Sequence, residues 1–73
     1  MATLRKRSVR VAGHPTSVSV EEPFWAELNA IATARGTSVD RLVEEIDRER
    51  DGNLSSAIRL YVLAALKAKA DIE

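Results

Sequence analysis

Thr16-Ser17-Val18-Ser19-Val20 runs straight into Glu21-Glu22-Pro23-Phe24-Trp25, and this junction constrains the whole chain. Val18 and Val20 alternate with Ser17 and Ser19, the period-two pattern of a strand with one apolar face. Glu21 and Glu22 then place negative charge where a helix N-terminus favours it. Pro23 suits the first helical turn, where its missing N–H has no intrahelical acceptor to lose. A lone five-residue strand leaves its backbone groups unpaired. Its partner is either a second chain or the run Ser8–Ala12, in which Val9 and Val11 alternate with Arg10. Gly13-His14-Pro15-Thr16 between the runs is turn chemistry, but not the Asn-Gly type that favours a tight hairpin. Pro15 cannot donate to a ladder. These points favour an intermolecular ribbon, with its regular part beginning after Pro15.

Helical periodicity governs the rest. The spacing predicts a strand over about 16–20 and helices over about 22–35, 39–50 and 54–69. Phe24, Trp25, Leu28, Ile31 and Ala32 form one face of the first helix, which Gly36 ends. Thr37-Ser38-Val39-Asp40 resembles a capping box. It opens a second helix with Val39, Leu42, Val43 and Ile46 inward, and Asp51-Gly52 stops it. Asn53 or Ser55 is available to cap the third. There Leu54, Ile58, Tyr61, Val62, Ala65 and Leu66 make one apolar stripe, while Leu60, Leu63 and Ala64 make another. A helix apolar over this much of its circumference is buried on more than one side, and the second side is expected to face a partner subunit.

The chain of 73 residues has no cysteine and one histidine, His14. Disulfides and thiolate or histidine-rich metal sites are therefore excluded. A core this small calls for oligomerisation. No run is apolar enough to span a membrane or to follow the basic N-terminus as a signal peptide, so a cytoplasmic protein is expected. The net charge of zero conceals a division: residues 1–20 carry +4, residues 21–50 carry −4, and the remainder balances. We therefore divide the chain into a basic arm, 1–7, and a single domain, 8–70. A basic end ahead of an acidic body suggests a polyanion as partner. No nucleophile context, glycine-rich phosphate loop or paired catalytic carboxylates occur, so neither an enzyme nor a cofactor is expected. Glu44, Glu45, Asp47, Glu49 and Asp51 read as a solvated helix face rather than a metal site. His14 reads as a turn residue, and Trp25 as core or interface.

The combination of Thr16-Ser17-Val18-Ser19-Val20-Glu21 with Gly52-Asn53-Leu54-Ser55-Ser56-Ala57-Ile58-Arg59 resembles the ribbon-helix-helix DNA-binding family. With Gly13-His14, Phe24-Trp25 and Ile46-Asp47, it is similar to short bacterial members that carry an extra helix between the usual two. The resemblance covers roughly residues 8–66. It implies a mostly α fold with a short N-terminal β-ribbon, in a homodimer whose intermolecular two-stranded antiparallel sheet enters the major groove of duplex DNA. Such dimers could pair further on DNA. Pro15, Ser17 and Ser19 would face outward. Asn53, Ser55 and Ser56 would present the last helix N-terminus to a phosphate. Arg5, Lys6, Arg7 and Arg10 would supply phosphate contacts. Val18, Val20, Trp25, Ile58, Tyr61 and Val62 would form the dimer interface. Family members often carry a basic or amide side chain on the outward ribbon. Here Ser17 and Ser19 offer only hydroxyls, without bidentate geometry. The function expected is a small transcriptional regulator. The alternative is an interaction module, antitoxin-like or structural, that engages a protein partner through its acidic second helix. Basic side chains beside the outward ribbon favour DNA, and basic side chains directed away from it favour the module.

Overall fold

The computed structural model describes residues 4–71. Two strands, β1 (Leu4–Val11) and β2 (His14–Glu21), are followed by α1 (Glu22–Ala34), α2 (Val39–Glu49) and α3 (Leu54–Asp71). The strands pair antiparallel with each other, from Leu4 opposite Glu21 to Val11 opposite His14. The sheet therefore forms within one chain, which corrects the expected pairing across two chains. Residues 4–7, read from the sequence as part of an arm, form the first half of β1.

The turn explains the difference. It consists of Ala12 and Gly13 alone, with φ of 53° and 84°. Positive φ at both central residues is the type I′ geometry that matches strand twist. Glycine adopts it freely, whereas alanine does so at a steric cost. The Ala12 N–H is anchored by Glu44 Oε2 of α2 at 2.9 Å. Pro15 is accommodated inside β2, so the regular ribbon does not wait for Thr16. The Ser19 N–H points away from β1, to Ser55 Oγ at 3.0 Å. By the strand's two-residue period, Pro15 lies at another position of that outer edge, where no ladder donor is needed.

Directly opposed residues share a sheet face. Val9, Val11, Val18 and Val20 form the buried inner face and pack on Leu28, Ala32, Leu42, Val43, Ile46, Leu54, Ile58 and Val62. The helix ends follow local chemistry. Gly36, at φ 69°, closes α1 with Thr37 N–H donating to the Ala32 carbonyl at 2.9 Å and Gly36 N–H to that of Thr33 at 3.0 Å. This is a Schellman motif. Ser38, not Thr37, caps α2, its Oγ accepting from Arg41 N–H at 3.1 Å. Among the described residues no helix is long and apolar enough to cross a membrane.

Candidate nucleic-acid interface

The register divides the basic residues of β1 into two sets. Lys6, Ser8 and Arg10 lie on the outer face, opposite Ser19, Ser17 and Pro15. Arg5 and Arg7 lie on the inner face, opposite Val20 and Val18. The inner pair is engaged by α1. Arg7 Nη2 donates to both carboxylate oxygens of Glu22 at 2.6 Å. The Arg7 guanidinium also sits 4.9 Å from the centre of the Trp25 ring, within cation–π range. Arg7 Nε is buried and makes no hydrogen bond. Arg5 Nε reaches the same Glu22 at 3.4 Å. Two of the four cations read from the sequence as phosphate contacts are thus paired with a carboxylate of their own chain, Glu22 at the start of α1.

The outer pair is different. Among the described residues Lys6 and Arg10 form no ion pair, and Arg10 only donates to the Gly13 carbonyl, at 3.3 Å. Lys6, Ser8, Arg10, Pro15 and Ser17 are exposed, and Ser19 is half-buried. The one carboxylate that the described strands place on this face, Glu21, is held by Arg59 Nε at 2.8 Å. That hydrogen bond is the main reason the Glu21 carboxyl titrates below its usual range, with its own backbone adding to the effect. The outer face therefore presents cations and hydroxyls, with its acid already neutralised.

The start of α3 meets this ribbon. Asn53 Oδ1 accepts from Ser56 N–H at 2.8 Å, so Asn53 is the N-cap. Ser55 does not cap the helix: its Oγ closes the β2 edge at Ser19. Arg59 Nη2 donates to the Ser19 carbonyl at 3.4 Å. Ser19 and Ser55, far apart in sequence, are thus neighbours. The N–H groups of Leu54 and Ser55 make no hydrogen bond among the described residues. A helix N-terminus with free donors consequently lies beside the ribbon edge.

The residues expected at a subunit interface mostly serve the chain itself. Val18, Val20, Ile58 and Val62 are fully buried within one chain. Trp25 is half-buried under Arg7. Tyr61 accepts from Arg35 Nη1 at 2.9 Å. Among the described residues the large apolar side chains that stay exposed are Leu60, Leu63 and Leu66 on α3, together with Leu4. Leu66 also borders a groove between α1 and α3 with Pro23, Phe24 and Ala26. The sequence signal for Leu60 and Leu63 is the second apolar stripe of α3; Leu66 belongs by sequence to the first stripe, and its exposure emerges only in the fold. Ser8, missed as an outward residue, is identified only once the register is known.

A model of the ribbon-helix-helix domain family matches residues 4–66. No curated protein matches the sequence significantly. Among solved structures, an uncharacterized protein from Bordetella pertussis Tohama I superposes with a TM-score of 0.80 and 31% identity. The match covers 94% of this chain and 60% of that one, so the chain spans less than two thirds of its structural relative.

Proposed function

Because this chain belongs to the ribbon-helix-helix domain family, we propose that it is a homodimeric duplex-DNA-binding protein and a small transcriptional regulator. The observation that carries this reading is the outer ribbon face, where Lys6 and Arg10 form no ion pair among the described residues and lie beside Ser8 and Ser17. A two-stranded ribbon fits a major groove about 12 Å wide. The hydroxyls of Ser17 and Ser19 meet base edges, and the cations meet phosphates or guanine acceptors. The N–H groups at Leu54 and Ser55 add a phosphate contact assisted by the helix dipole. Arg5 and Arg7 contribute to the field but not to direct contact, since Glu22 holds them.

The homodimer forms through Leu60, Leu63 and Leu66 rather than through the side chains already buried in each chain. The acidic second helix is a weaker basis for a protein partner. Arg41 and Arg48 interleave with Glu44, Glu45 and Glu49 along one groove, so two cations offset all but one of its three carboxylates. Fluorescence anisotropy with pooled genomic duplexes at low and physiological salt tests the reading. Binding that weakens steeply with salt is expected. A folded dimer that binds no duplex at low salt would refute it.

A further inference from the structure

One side of α3 is buried in its own chain and the reverse side is bare. Ile58 and Val62 turn into the core, both fully buried. Ser56, Leu60, Leu63, Lys67 and Ala70 lie on the reverse side at helical spacing, and all five are exposed. They recur at alternating steps of four and three residues, the spacing of an a/d seam, over about 21 Å of helix. The helix also outruns its support: Leu66 through Ala70 are helical yet all exposed. A helical end without tertiary cover is marginal in water.

Charge along this side is divided between its two ends. Among the described residues Lys67 and Asp51 form no ion pair. Asp51 lines a hollow at the start of α3 with Asn53, Ser56, Ala57 and Leu60. Asp51, Ala57 and Leu60 also border a second hollow, edged by Glu49. Leu60 thus stands between two hollows that carry carboxylates, while Lys67 sits two turns further along. A second copy laid antiparallel satisfies both ends at once. A two-fold axis that sets Leu60 opposite Leu63 also sets Ser56 opposite Lys67, and each match occurs twice. A parallel pair would instead set Lys67 against Lys67 and align the two helix dipoles side by side.

Resting on the homodimer reading above, we propose that the occupant of this face is α3 of a second copy, packed antiparallel. Leu63 of each copy enters the hollow beside Ala57 and Leu60 of the other, and Lys67 of each pairs with Asp51 of the other. The small side chains of Ser56 and Ala57 let the helices approach closely. Residues 66–70 of each copy then gain the cover that their own chain does not give, along the first turn of the opposite α3.

Sedimentation equilibrium on wild type, Lys67→Glu, Asp51→Lys, the Lys67→Glu/Asp51→Lys double variant and Lys69→Glu tests this, with circular dichroism establishing that each is folded. Each reversal at Lys67 or Asp51 is expected to weaken dimerisation about tenfold, because the two-fold axis repeats the pair. The double variant should return to within about twofold of wild type, since the swapped charges again attract. Lys69→Glu, on the opposite side of α3, should match wild type. The chain has no cysteine, so orientation can be read separately by oxidising a mixture of Ser56→Cys and Lys67→Cys proteins. The mixed cross-link should predominate. A double variant no tighter than either single reversal, or cross-links chiefly between like residues, would overturn the inference while leaving the homodimer intact. A folded wild type that stays monomeric would overturn the homodimer reading itself.

Discussion

Arg7 shows how one position decides between structure and recognition. It belongs by sequence to a basic cluster, yet its register opposite Val18 turns it inward, onto Trp25 and Glu22. Arg7→Ala should therefore destabilise the fold by roughly 1–2 kcal/mol, combining a cation–π contact with a short, partly shielded ion pair. It should also shift the emission of Trp25, the sole tryptophan, which makes fluorescence-monitored denaturation the natural measurement. Ala12 is the complementary case, a residue whose identity works against its conformation. At φ 53° beside Gly13, it occupies the position where type I′ turns favour asparagine. Ala12→Asn should raise stability by about 0.5–1 kcal/mol, seen as a higher thermal midpoint. A lower midpoint would contradict the turn assignment. Both residues explain what the sequence concealed. A charge cluster does not reveal which of its members pairs with which face, and an alanine in left-handed geometry leaves no compositional signal of a tight turn.

At the scale of elements, the helices were legible and the strand pairing was not. The apolar spacing of α1 and α2 located Leu28, Ala32, Leu42, Val43 and Ile46, all buried, because a helix face is set by local periodicity. Strand pairing is non-local, and β1 extends back to Leu4 only because β2 offers partners there. The docking of α3 on β2 also depends on contacts distant in sequence, Ser55 with Ser19 and Arg59 with Glu21. Arg59 lowers the Glu21 carboxyl in the folded chain below its ordinary value of 4.5. The charged Glu21 therefore stabilises the fold above that ordinary value, and the contribution disappears as pH falls through the lowered folded value. Acid titration of stability should show this loss in wild type and not in Arg59→Met. Equal acid sensitivity of the two proteins would remove the pair from the account.

For the whole molecule, the decisive features are two surfaces. One is apolar: Leu60, Leu63 and Leu66 remain 65%, 50% and 41% exposed on α3; the first two lie on the stripe that the sequence marks as excess to a single chain's core, whereas Leu66 reads from the sequence as part of the other stripe. Leu63→Glu should move sedimentation equilibrium from dimer toward monomer while preserving helical content, since the side chain takes no part in the core. A persistent dimer would place the interface elsewhere. The other surface is the outer ribbon face, where DNA binding stands or falls. The most direct measurement compares duplex binding at two salt concentrations for wild type, Lys6→Ala/Arg10→Ala and Arg5→Ala/Arg7→Ala. The account predicts steep salt dependence in wild type. It also predicts loss of binding, with a slope shallower by about one per lost phosphate contact, in the Lys6/Arg10 variant. Binding should be largely retained in an Arg5/Arg7 variant that is less stable. Undiminished binding without Lys6 and Arg10, or none by folded wild type at low salt, would contradict it.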